Sequence, residues 1–71
     1  MSDKEREEKA LKTITVSSRA AQRTAASQQS RERVKERTDE LLVDLEDHVR
    51  ADGNDPDMLA EIEAERDQLR D

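Results

Sequence analysis

The sequence predicts an all-α chain, and two observations carry this prediction. The first is a helix end followed by a helix start within residues 52–57. Gly53 and Asn54 tolerate the left-handed backbone that closes a helix, while Asp55 and Pro56 are typical of an N-cap and a first helical position. The second is the helical spacing of apolar residues on both sides of this turn. Together they predict an N-terminal helix that leads into an antiparallel helical hairpin.

The first helix is expected to begin at Asp3. Ser2 and Glu5 have the spacing of a capping box, in which each side chain satisfies a backbone amide of the first turn. Residues 13–16 are β-branched and alternate polar with apolar side chains, so this run is also compatible with a short strand. Because a four-residue strand would need another chain to pair with, helix is the favoured interpretation.

The chain divides into two segments of different composition. Residues 1–30 are predicted to form a basic helical arm, rich in Ser, Thr, Ala and Gln, that is partly disordered. A bend or frayed joint is expected near residues 27–30, with Ser30 as a candidate N-cap of the next helix. The rest, residues 31–71, is predicted to be an acidic hairpin with a helix at about 31–52, a turn at 53–55 and a helix at about 56–70.

The apolar residues of the hairpin define its expected core. On the last helix the apolar face is narrow, because Arg66 stands where the stripe through Ile62 would continue. The expected core residues share helical spacing on either side of the turn: Val34, Leu41, Leu42, Leu45, Val49, Met58, Leu59, Ile62 and Leu69.

Composition argues for association with another chain. Only 31% of the 71 residues are hydrophobic, none is aromatic, and 45% are charged, so the core of a single chain is small. Without Cys there is no disulfide or thiolate metal site to stabilise a small fold, which leaves oligomerisation. We expect a homo-oligomer or packing on another helical protein. The expected interface residues are apolar or small: Leu11, Ile14, Ala21, Ala25, Leu41, Leu45, Val49, Leu59 and Ile62.

Catalysis is not expected from this composition. Cys, Tyr and Trp are absent, and His48 is the sole histidine. On a helix it would have Asp44 and Asp52 one turn away on either side, but carboxylates at this spacing arise by chance in acidic helices. We therefore expect no catalytic residue, no cofactor, no metal ion and no small-molecule substrate.

The charges suggest an alternative function. Residues 1–37 carry 10 basic and 6 acidic side chains, a sum of +4, whereas residues 38–71 carry 3 and 13, a sum of −10. A basic segment is typical of phosphate contacts in nucleic-acid-binding proteins. The candidate contacts are Arg19, Arg23, Arg31, Arg33, Lys35 and Arg37.

Two functions are thus compatible with the sequence. The favoured one is a small non-catalytic adaptor or regulatory protein that acts by protein–protein interaction, because charged runs most often serve solubility. The alternative is a small DNA-binding transcriptional regulator or antitoxin with a basic arm and a hairpin for dimerisation. No apolar run approaches the roughly 20 residues of a membrane span, and the N-terminus lacks the apolar region of a signal peptide. We therefore expect a cytoplasmic location and no membrane contact.

Overall fold

The computed structural model describes residues 3–70, with the side chains of residues 4–70. Within that range it has three helices and no strand: α1 at Asp3–Thr24, α2 at Gln28–Ala51 and α3 at Pro56–Leu69. The all-α prediction is confirmed, and residues 13–16 are helical. Ser2 of the expected capping box lies outside the described residues.

The break between α1 and α2 lies at residues 25–27, slightly earlier than the sequence indicates. Ser27, rather than Ser30, is the N-cap of α2. Its backbone is extended, and its hydroxyl oxygen accepts a hydrogen bond from the Ser30 amide at 3.1 Å. The Ser27 carbonyl also accepts the first helical bond, from the Arg31 amide at 3.1 Å. Capping three residues earlier adds nearly one turn to α2.

The end of α2 follows the chemistry predicted for the turn. The Asp52 amide donates to the carbonyls of His48 at 3.0 Å and Val49 at 3.2 Å, and the Asn54 amide reaches Val49 at 2.9 Å. Gly53 has φ of +110° and Asn54 has φ of +56°. These left-handed conformations reverse the chain, and they favour Gly and Asn for steric reasons.

The start of α3 also agrees with the prediction. Asp55 is the N-cap and accepts the Asp57 amide at 3.1 Å, while Pro56 occupies the first turn. The Asp55 carboxylate lies 3.6 Å from the ammonium of Lys4, at the beginning of α1. The same side chain therefore starts α3 and contacts α1.

All three helices contribute to one core. Leu42 and Val49 of α2 and Met58 and Ile62 of α3 are fully buried. Leu11 of α1 and Leu45 of α2 complete the buried set, and Ala10, Ile14, Leu59 and Leu69 pack against it. Helix α1 thus covers the hairpin of α2 and α3 through Leu11, which is not among the predicted core residues of the hairpin.

The third helix lies on one side of the pair formed by α1 and α2. Asp39 and Glu46 of α2 face Arg66 of α3, whereas Val34 and Leu41 lie on the opposite flank of α2. Val34 and Leu41 are half-buried, although the sequence places them in the hairpin core. The reason is that α3, at 14 residues, packs along one flank of the 24-residue α2 and leaves the other flank uncovered.

Arg66 joins α3 to α2 by ion pairs. Its Nε donates to Asp39 Oδ1 at 2.8 Å and its Nη1 to Glu46 Oε2 at 3.3 Å. Glu46 is buried and also pairs with Arg50 Nη2 at 2.6 Å. The hydrogen bond to Asp39 is the main cause that raises the pKa of Arg66 above its ordinary value, with attraction to both carboxylates adding to it and burial opposing it. Arg66, which interrupts the apolar stripe of α3, therefore forms a polar contact between α3 and α2.

A chain of hydroxyl groups joins α1 to α2. Thr38 Oγ1 lies 2.8 Å from the Val34 carbonyl and 2.9 Å from Ser18 Oγ. Because a carbonyl can only accept and a hydroxyl has one proton, Thr38 donates to Val34 and Ser18 donates to Thr38. Ser18 in turn accepts from the Gln22 side-chain amide at 3.0 Å. Each buried hydroxyl is therefore satisfied.

The cap of α3 can be tested by two substitutions at one position. Asp55→Ala should lower the free energy of unfolding by about 0.5–2 kcal/mol, because the Asp57 amide loses its acceptor. Asp55→Asn should keep most of the stability, since Asn caps as well as Asp and loses only the partly exposed pair with Lys4 at 3.6 Å. Urea unfolding at one fixed protein concentration measures both. Equal losses for the two variants would show that the charge, not the cap, matters.

The ion pairs of Arg66 have a matched control near the end of α3. Arg66→Met should destabilise the fold by roughly 1.5–3 kcal/mol, because two hydrogen bonds to carboxylates are lost. Arg70→Met removes an exposed pair with Asp67 at 3.5 Å and should change stability by less than about 0.5 kcal/mol. Thermal unfolding followed by circular dichroism distinguishes the two. A loss at Arg70 as large as that at Arg66 would contradict the assignment.

Candidate partner-binding face

An open groove of about 440 Å³ runs between α1 and α2, on the side away from α3. We call it the open face. Its lining is mostly apolar or small side chains, with two arginines at the edge: Thr13, Ile14, Ser17, Ser18, Ala21, Arg33, Val34, Arg37, Thr38 and Leu41. It is a shallow surface between two helices, of the shape that receives another helix in a bundle.

Heptad spacing produces the floor of this face. Ile14 and Ala21 of α1 are seven residues apart, as are Val34 and Leu41 of α2. Seven residues are nearly two helical turns, so each pair lies on one side of its helix. All four side chains are half-buried rather than buried. The small Ala21 and Ser17 keep the floor low, so a partner backbone could approach closely.

The outer edge of α2 changes sign along the helix. Arg33 and Arg37 stand at its N-terminal half, and Glu40 and Asp44 follow at three- and four-residue intervals. All four side chains are exposed. Arg37 and Glu40 form a pair at 3.5 Å, with 72% and 69% of the side chains exposed, so this contact contributes little stability. The four charges are therefore accessible to another molecule.

The predicted interface residues fall into three places. Leu11, Leu45, Val49 and Ile62 belong to the core of the single chain, where their packing partners are other helices of the same chain. Ile14, Ala21 and Leu41 line the open face. Leu59 packs at the edge of the core, and Ala25 is half-buried at the break after α1. Contact of any of these residues with a partner stays a prediction. The heptad spacing of Ile14, Ala21, Val34 and Leu41 is the signal that marks the open face in the sequence.

The predicted nucleic-acid contacts lie toward the end of the molecule where α1 turns into α2. Arg23 is in the last turn of α1, and Arg31 is in the first turn of α2. The side chains of Arg19, Arg23, Arg31, Arg33 and Arg37 are exposed, whereas Lys35 is half-buried. No aromatic residue is present to stack on bases. Phosphate contact by these residues stays a prediction that rests on charge alone.

Three side chains of types that can ligate a metal ion come together at the other end of the α1–α2 pair. One ligand atom from each of Glu7, His48 and Asp52 lies within 4.8 Å of the other two. Asp44, which the sequence places one turn before His48, is not part of this group. Glu7 comes from α1 and could not be associated with His48 from spacing, because the two residues are 41 positions apart.

Comparisons of this chain with protein-family models, curated proteins and solved structures found no match. Across residues 3–70, no helix combines the length and the apolar character that crossing a bilayer requires.

Binding to duplex DNA tests the basic residues directly. At about 0.15 M salt, where the Debye length is near 8 Å, we expect no sequence-selective submicromolar complex, because the acidic half of the chain repels the same polyanion. Electrophoretic mobility and fluorescence anisotropy across a salt series measure this. If tight binding is seen, Arg31→Ala with Arg33→Ala should lower the salt slope by about one unit per phosphate contact removed. That outcome would favour the DNA-binding alternative.

Proposed function

We propose that this protein is a small non-catalytic interaction protein that acts by self-association through its open face. The observation that carries the proposal is an apolar groove left uncovered beside a three-helix core. In a chain with so few apolar residues, leaving Ile14, Val34 and Leu41 half-exposed in one groove favours a role for that groove in binding. The open face of a second copy would bury these three side chains, and its own would be buried in turn.

Charge complementarity supports a second copy as the partner. Two identical faces related by a twofold axis at the level of Thr38 would bring the α2 helices together in antiparallel orientation. Arg33 and Arg37 of one copy would then face Glu40 and Asp44 of the other, and the reverse contacts would follow by symmetry. A parallel arrangement would place like charges opposite each other, which is unfavourable. The sign change along α2 therefore selects one orientation.

The size of the face predicts a weak dimer. Ile14, Val34 and Leu41 are already half-buried, so covering each gains about 1 kcal/mol. Six such side chains from two copies give about 6 kcal/mol before the cost of association, which is itself at least about 4 kcal/mol. Exposed ion pairs add a few tenths of a kcal/mol to about 1 kcal/mol each. Association should thus be no tighter than about micromolar.

A charge exchange between two variants tests this arrangement. An acidic variant carries Arg33→Glu with Arg37→Glu, and a basic variant carries Glu40→Lys with Asp44→Lys. Each variant alone should remain monomeric, because four like charges from each copy would meet across the twofold axis. An equimolar mixture should associate at least as well as the unmodified chain. Sedimentation velocity at 0.15 M salt, over a concentration series, measures all three samples.

The control is a variant with the same charge change as the basic variant, placed on another surface. Glu61→Lys with Glu63→Lys lies on exposed positions of α3 and should leave association unchanged. Leu41→Ser should weaken association while circular dichroism still reports full helicity, since Leu41 is outside the buried core. A monomer at every concentration, or a mixture that fails to associate when both variants are folded, would overturn self-association through this face.

A further inference from the structure

We propose that Glu7, His48 and Asp52 form a binding site for a divalent transition metal ion, with Zn²⁺ as the best-fitting example. The three side chains come from two helices and bring one imidazole nitrogen and two carboxylate oxygens within 4.8 Å of one another. Imidazole and carboxylate are ligands that zinc accepts in proteins. This inference does not depend on self-association.

The distances suit closure around an ion. Zinc bonds of about 2.0–2.2 Å in tetrahedral geometry place ligand atoms about 3.3–3.6 Å apart. The three ligand atoms would therefore have to move together by little more than 1 Å. The exposed His48 and Asp52 side chains can make this movement by small rotations, and both remain accessible to an ion from solvent. Three protein ligands leave the fourth position to water.

The backbone positions of the ligands are set by the fold. His48 and Asp52 are four residues apart at the end of α2, so their side chains lie on one side of the helix. Asp52 is the C-cap, and its amide bonds to the carbonyls of His48 and Val49 hold it at that position. Glu7 precedes Ile14 by seven residues, and His48 follows Leu41 by seven. The site therefore continues the two heptad stripes of the open face to their end.

Glu7 is the buried member of the group. Its side chain is almost fully buried, with 4% of the residue exposed, yet its carboxylate lies beside that of Asp52. A divalent ion bound between these carboxylates and His48 would interact favourably with both negative charges. It would also join the start of α1 to the end of α2.

Titration of the 71-residue chain with Zn²⁺ at pH 7.5 is the direct test. Isothermal calorimetry should give saturable binding of one ion per chain and a rise in the thermal unfolding midpoint. Co²⁺, used as a spectroscopic probe, should show visible absorption bands of a low-coordinate site. The Leu41→Ser variant should bind equally well, which separates metal binding from self-association.

Four substitutions distinguish this site from adventitious binding by an acidic surface. His48→Ala, Asp52→Asn and Glu7→Gln should each weaken binding by more than about tenfold. Asp44→Asn should have no such effect, although Asp44 is as close to His48 in sequence as Asp52 is. Should Glu7→Gln reduce helicity, the His48 and Asp52 variants still test the site, since both side chains are exposed.

Three results would overturn the proposal. One is the absence of saturable binding by the unmodified chain, which would leave His48 as a polar partner of two carboxylates. Another is binding that survives both His48→Ala and Asp52→Asn, which would place the ion elsewhere. The third is equal weakening by Asp44→Asn, which would indicate diffuse attraction to acidic side chains.

Discussion

The packing of Met58 and Ile62 of α3 against Leu42 and Val49 of α2 is the contact on which the rest of the fold depends. These four side chains are the largest ones fully removed from solvent, in a chain whose hydrophobic residues are few. Because apolar burial is the main favourable contribution to folding, their contact orients the hairpin. α1 then covers the hairpin chiefly through Leu11, with Ala10 and Ile14 beside it. Polar contacts add specificity to this small core: Arg66 pairs with Asp39 and Glu46 between α3 and α2, and the hydroxyl chain through Ser18 and Thr38 joins α1 to α2.

The narrow face of α3 has a consequence for function. A helix of 14 residues with one apolar stripe covers one groove of the α1–α2 pair and leaves the other open. The open face has a mostly apolar floor, and the exposed edge of α2 beside it is basic at Arg33 and Arg37 and acidic at Glu40 and Asp44. Glu7 and His48 of the candidate metal site lie seven residues beyond Ile14 and Leu41 of that floor. Partner binding and metal binding would therefore occupy one continuous side of the molecule. A metal ion at its end would connect the two helices that form the floor of the groove.

Local chemistry accounts for the parts of this fold that the sequence predicts. The turn at residues 52–57 was predictable because Gly53, Asn54, Asp55 and Pro56 each have a strong conformational preference that depends on near neighbours. Most of the buried residues of α2 and α3 follow from helical spacing for the same reason. The N-cap of α2 is Ser27 rather than Ser30 because of where α1 ends. Residue preferences alone cannot distinguish the two positions, since both are serines and serine is a favoured N-cap. Val34 and Leu41 share the helical spacing of the core residues. Spacing predicts which residues lie on one side of a helix, but it does not predict whether another helix packs against that side.

By itself, the sequence determined that the chain is helical, where its helices change direction, and that catalysis has few suitable residues, because these properties depend on residue type and short spacing. Only the tertiary structure decided which flank of α2 receives α3, and with it that Arg66 meets Asp39 and Glu46. It also brought Glu7 beside His48 and Asp52, across 41 residues of chain, and separated them from Asp44. Such pairings depend on how whole helix surfaces fit together, and the direction of packing between two amphipathic helices is not encoded in the period of either one.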